Sequence, residues 1–211
     1  MNAHTINRVL EIASPALPDD DGLFDDADSP VTILGRGRSF RASTVISVVS
    51  KVAAREMLLA YDSELTGPIV VVAGILGSSR QLVLRDVLTS SSASRVRYLG
   101  DPDPADWIAF ETLRQCVVGV LPHCECTWML KGIAEGNNIP APTSGVTLAI
   151  SSAEKLVMSA IVSLGLSREV ASVVGRDAFA LWESGAKIEL EGLRRIHGVG
   201  LSLHLRAKLQ E

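Results

Sequence analysis

The feature that most constrains this chain is a repeated switch of hydrophobic period. GPIVVVAG at 67–74 is a continuous β-branched run between glycines, as expected of a strand buried on both faces of a parallel sheet. SSRQLVLRDVL at 78–88 then places Leu82, Leu84, Val87 and Leu88 at helical spacing. RVRYLG at 95–100 returns to a short apolar strand, with TSSSAS as the connecting loop. TVISVV (44–49) reads as an earlier strand leading into the helical KVAAREMLLAYDSEL (51–65). DWIAFETLRQ (106–115) reads as a helix, and CVVGVLP (116–122) as a fourth short strand. Strands alternating with helices predict an α/β fold, a Rossmann-like parallel sheet with helices on both faces. Beyond residue 140 the pattern becomes helical in SSAEKLVMSAIVSLG, SREVASVVGRDAFALWESG and KIELEGLRRI, giving a helical C-terminal extension.

Composition narrows the class further. Hydrophobic residues make up 47% and aromatics only 4%, so a core of aliphatic side chains is expected. The cysteines, Cys116, Cys124 and Cys126, are odd in number and clustered, unlike a disulfide framework. No run of eighteen apolar residues and no basic start followed by an apolar stretch occurs, so no membrane span or secretory signal is expected. The reading is of an intracellular protein, cytoplasmic or nuclear. Residues 1–30 carry seven acids against Arg8 alone, a net of −6, which leaves the rest of this −4 chain near +2. Three regions follow: an acidic, largely flexible arm over 1–43, an α/β domain over 44–193 and a basic C-terminal segment over 194–211. INRVLEIA, inside the arm, is expected to form a helix that docks on a partner.

Asp101 and Asp103, in RVRYLGDPDPADWIAF (95–110), stand just beyond the third strand. Ligands of open parallel sheets bind beyond the carboxyl ends of strands, and two carboxylates beside a turn suit a hard cation such as Mg²⁺. The other reading is structural. Aspartate is a favoured N-cap and proline is favoured in a first helical turn, so D-P-x-D-W can simply open the helix at 106.

The order of segments resembles the Toprim domain of the topoisomerase VI A subunit and the related meiotic double-strand-break proteins. VISVVSKVAAREMLL (45–59) is similar to the family's first strand and helix, and IVVVAGILGSSRQLVLRDVL (69–88) to its second unit. RVRYLGDPDPADWIAF is similar to its third strand ending in D-x-D-P. CTWMLKGIAEGNNIP (126–140) resembles its W-L-G-L segment. GAKIELEGL (185–193) resembles its closing helix, with Trp182 and Glu183 before it. The resemblance implies a Toprim-like fold and a role in DNA break or strand-passage chemistry beside a partner subunit. It also implies Mg²⁺ held by Asp101 and Asp103 against a DNA phosphate, with Lys51 at the same site. A homo-oligomer is compatible with it.

The departures point elsewhere. The family's strand-end glutamate falls on Ser50, which weakens any Mg²⁺ site, and the glycine after D-x-D-P-x is Asp106. The family's nucleophile is a tyrosine on a winged-helix domain N-terminal to Toprim. Here the tyrosines are Tyr61 and Tyr98, inside the Toprim-like stretch, and the first 43 residues are too few and too acidic for a winged helix. The chain is therefore not expected to cleave DNA alone, and a catalytically degenerate scaffold that binds protein partners is the alternative. A small-molecule enzyme using the Gly74–Gly77 turn for a phosphate-bearing ligand is a third class.

Other clusters carry less. His123, Cys124 and Cys126 offer zinc-type ligands, but no second pair stands at the expected spacing. Arg36, Arg38 and Arg41 form either a phosphate contact or a solvated loop. SLHLR, with Leu201, Leu203 and Leu205 alternating, reads as an edge strand.

Overall fold

The computed structural model describes residues 3–13, 32–34, 43–51, 54, 68–72, 77–133 and 147–210. The acidic stretch 14–31, the GRGR patch, most of the expected 51–65 helix, Gly74 and GNNIP lie outside them. Two compact units result. One, here the helical unit, comprises Met1–Asp21, Asp101–Trp107 and Leu130–Glu211; the other, the sheet unit, comprises Gly22–Gly100 and Ile108–Met129.

The sheet unit is of the expected α/β, Rossmann-like class. Strands β1 (Thr32–Leu34), β2 (Val45–Val49), β3 (Ile69–Val71), β4 (Arg95–Leu99) and β5 (Glu125–Trp128) lie in the order β1-β3-β2-β4-β5. β3, β2, β4 and β5 run parallel, with Val48 opposite Val70 and Tyr98, and Tyr98 opposite Trp128. β1 joins the edge antiparallel to β3. The chain leaves β2 toward β3 and then crosses to β4 on the other side, which makes the carboxyl ends of β2 and β4 the topological switch point. Ser50 follows β2 there, its amide donating to the Leu99 carbonyl at 3.1 Å.

Helix α2 (Ser78–Thr89) buries Arg80, Leu84 and Leu88, a four-residue stripe, while Leu82 points outward. Helix α3 (Pro104–Val120) corrects the expected fourth strand at 116–122. Leu113, Cys116 and Val117 are all buried, and that spacing is a helix face. The fourth parallel strand is instead Glu125–Trp128, an edge strand with a partly exposed, polar pattern that offered no β-branched run to find it by. Tyr98, Phe110 and Trp128 close the sheet core as an aromatic triangle with ring centroids 5.4 to 5.6 Å apart.

The helical unit contains α1 (Ala3–Ala13), α4 (Ser152–Ser163), α5 (Ser167–Val174), α6 (Arg176–Glu183) and α7 (Leu190–Gln210). The helix expected at 6–13 docks within its own chain: α1 buries Ile6, Val9 and Ala13 and packs against α4. Two short strands, β6 (Thr147–Ala149) and β7 (Ala186–Ile188), pair antiparallel. Lys187 therefore sits on a strand, where a helix was expected from GAKIELEGL. SLHLR corrects the other way. It lies inside α7, with Leu201 and Leu205 buried and Leu203 exposed, as four-residue helical spacing requires. No helix among the described residues is long and apolar enough to cross a membrane.

Candidate functional site: a buried acidic centre around Lys187

The segment Asp101–Trp107 is held by its own side chains. Asp103 is the N-cap of α3: its Oδ1 accepts from the Asp106 amide at 2.7 Å, and Pro104 occupies the first helical position. The Asp106 carboxylate accepts in turn from the Asp101 amide. The Asp103 amide donates to the Asp101 carbonyl at 2.8 Å, closing the turn. The Pro102 carbonyl accepts from Trp182 Nε1 at 2.8 Å. Asp101 Oδ1 accepts from the Leu190 amide at 2.8 Å. It thereby satisfies one of the N–H groups that the start of α7 leaves without an intrahelical partner.

One ammonium ties this segment to two others. Lys187 Nζ on β7 donates to Glu154 Oε1 at 2.9 Å and to Asp103 Oδ2 at 3.3 Å, and Glu189 lies 3.8 Å away. Glu154 is itself fixed by a capping box at the start of α4. Its Oε2 accepts from the Ser151 amide at 2.6 Å, while its own amide donates to Ser151 Oγ at 3.2 Å. Asp101, Asp103, Asp106 and Glu154 are all buried.

Burial pushes the Asp103 carboxyl well above the usual aspartate range. The Asp106 carboxylate pushes the same way, as do Glu154 and Asp101, and the pull of Lys187 does not offset them. For Lys187, burial works against the charged form, but Asp103 and Glu154 outweigh it and hold the ammonium above its ordinary pKa. Asp103 and Lys187 therefore both hold their protons more tightly than the free side chains do.

Asp101 and Asp103 thus meet in one site and cap two helices. Lys51 is half-buried after β2 and belongs to the sheet unit, whereas both aspartates belong to the helical unit. Glu154 and Lys187 are the residues that sequence reasoning missed. Ser151 to Glu154 does spell the S-x-x-E capping pattern, so Glu154 was findable as a cap. Nothing local to AKI marks Lys187 as its partner across 33 residues.

Cys116 is buried in α3, and Cys124 and Cys126 are partly exposed. Cys126 lies on β5 opposite Val96, and burial drives its thiol pKa upward, the reverse of what a thiolate ligand needs. Among the described residues, no group of three or more His, Cys, Asp and Glu side chains could hold a metal ion. Gly77 precedes α2 with φ −64° and open space around its Cβ position, so neither conformation nor crowding demands glycine there.

No protein-family model matches the chain, and no curated protein sequence matches it.

Proposed function

We propose that the chain is a Toprim-like scaffold of a DNA break or strand-passage assembly, working inside the cell beside a partner subunit without metal-dependent cleavage of its own. The observation that carries this reading is what occupies the aspartates. The Asp101 carboxylate accepts from the Leu190 amide, and the Asp103 carboxylate accepts from the Asp106 amide and the Lys187 ammonium. Mg²⁺ needs near-octahedral oxygens and several waters. Here it would have to displace the Lys187 ammonium, which Asp103 and Glu154 already share. The third carboxylate of the resemblance is Ser50, which supplies no charge. The arrangement suits an ammonium better than an open divalent site.

A second reading has one observation in its favour. Burial, and after it the neighbouring carboxylates, raise the Asp103 carboxyl; a divalent cation would relieve the part that the carboxylates contribute, as in a Mg²⁺-dependent subunit using Asp101, Asp103 and Lys51 with a partner's tyrosine. Calorimetric Mg²⁺ titration of the wild type and of Asp101→Asn/Asp103→Asn, with and without duplex DNA, separates the two. The scaffold reading expects no saturable binding by either protein. Saturable binding by the wild type that disappears in the double variant would replace it with the metal-dependent reading.

A further inference from the structure

We propose that the helical unit carries a phosphate-binding cavity built from Lys131, Arg168 and Arg176. This cavity of about 380 Å³ is lined by those three cations with Ala171, Ser172 and Gly175, and it shares none of these residues with the acidic centre. The inference goes beyond the proposed function, since it holds whether or not Asp101 and Asp103 take a metal.

The local sequence explains how the cations come together. Arg168 is the second residue of α5 and Arg176 the first of α6. The helices join at Gly175, whose φ of 101° is a conformation that glycine adopts without strain and L-residues rarely reach. A single-residue joint therefore lets arginines from successive helices line one cavity. Ala171 and Ser172 lie three and four residues beyond Arg168, on its helix face, and their small side chains leave the space open. Lys131 comes from the turn that follows β5.

The chemistry selects an anion. Arg168, Arg176 and Lys131 are exposed and no carboxylate lines the cavity, although Glu169 and Asp177 adjoin the two arginines in sequence. Guanidinium forks bind phosphate oxygens bidentately, and lysine adds a point charge. The Ser172 hydroxyl donates to the Glu169 carbonyl at 2.7 Å, an exposed bond that a phosphate oxygen can replace. Ligand sites start at about 300 Å³. This one therefore suits a phosphate group and the sugar or short organic group attached to it, from a nucleic-acid backbone or from a small phosphate ester.

The test uses the full chain, Arg168→Gln/Arg176→Gln, and Lys155→Gln as a charge control, since Lys155 is an exposed lysine that does not line this cavity. Pyrophosphate is titrated by calorimetry, and a short labelled duplex by anisotropy across salt concentrations. Pyrophosphate should bind the wild type and Lys155→Gln alike and the double variant at least about tenfold more weakly, with all three proteins melting together. If the duplex follows the same order, with a salt slope shallower by about two in the double variant, the phosphate belongs to a nucleic-acid backbone. If pyrophosphate binds and the duplex does not, it belongs to a small phosphate ester. Binding neither probe, or binding both equally in wild type and double variant, overturns the proposal.

Discussion

The two units are stabilised by different physics. In the sheet unit, Ile46, Val49, Val70, Val96, Leu84, Leu88 and Leu99 are fully buried, and each contributes about 1.5–3 kcal/mol through area removed from water, with little demand on direction. Its buried Glu111 pairs with Arg114 three residues away on the same helix, at 2.7 Å. The helical unit also has an apolar core, including Val157, Ile161, Trp182 and Leu201, but Asp101, Asp103, Asp106, Glu154 and Lys187 are built into it. Their contacts bridge 33 and 84 residues of sequence. Area burial tolerates substitution by similar shapes. A buried charge cluster does not tolerate loss of the Lys187 ammonium, because Asp103 and Glu154 then lose the cation that they share.

The sharpest way to break the comparison is to remove the ammonium. Lys187→Met should destabilise the protein by about 3–5 kcal/mol at neutral pH, since Asp103 and Glu154 are then left without their cation. The loss should shrink in acidic buffer, because Asp103, already raised above the usual aspartate range, accepts a proton instead. Urea unfolding at the two pH values measures both, and a small, pH-independent loss would mean that the centre is not electrostatically coupled. Leu84→Ala, its counterpart in the sheet unit, should cost about 3 kcal/mol by opening a cavity. That cost should be the same at both pH values, because no ionisable group changes its surroundings.

The same difference decides what was legible in the sequence. β2 and β3 are β-branched runs and β4 is a short stretch between polar loops, and all three stand where the pattern put them. CVVGVLP carried the same apolar density without enough length to separate a buried helix end from a strand, and tertiary packing made it the last turns of α3. SLHLR failed for a related reason: three alternating leucines fit a strand, yet Leu201 and Leu205 also fit one helix face. Asp101 and Asp103 were visible as a pair because their spacing and prolines are local. Both local readings, cap and ion site, were open. What tips the balance, Lys187 on β7 and the start of α7, lies more than eighty residues away and leaves no mark near the aspartates.

Asp103→Asn sharpens the comparison through pH. Asp103 titrates higher in the folded chain than in the unfolded one, so the folded protein holds an extra proton between the ordinary value of 3.8 and the raised one. Stability from this group is therefore greatest at the acid end of that window and falls as pH rises through it. Lys187 acts in the same direction at the alkaline end of the scale: its contribution is complete below 10.5 and is lost as pH rises through its raised folded value. Asparagine is an equally good N-cap and cannot titrate. The variant should cost about 1 kcal/mol or less at neutral pH, judged by the size of an ordinary hydrogen-bond change. It should also flatten the fall in stability across that window while leaving the alkaline limb, which Glu154 still supports. An unchanged acid limb would place the extra proton on another carboxyl.

A coupling measurement asks whether the cap at the start of α4 also positions the ion pair. Ser151→Ala removes the hydroxyl that accepts from the Glu154 amide but keeps the backbone amide that holds Glu154 Oε2. The loss should be that of a cap alone, about 1 kcal/mol. It should add to that of Lys187→Met within about 0.5 kcal/mol in a double-mutant cycle, as independent interactions do. A larger coupling would mean that Ser151 orients the Glu154 carboxylate toward Lys187. The capping box would then belong to the charged centre rather than to the helix, and the one part of the site with a local sequence signature would be the part that builds it.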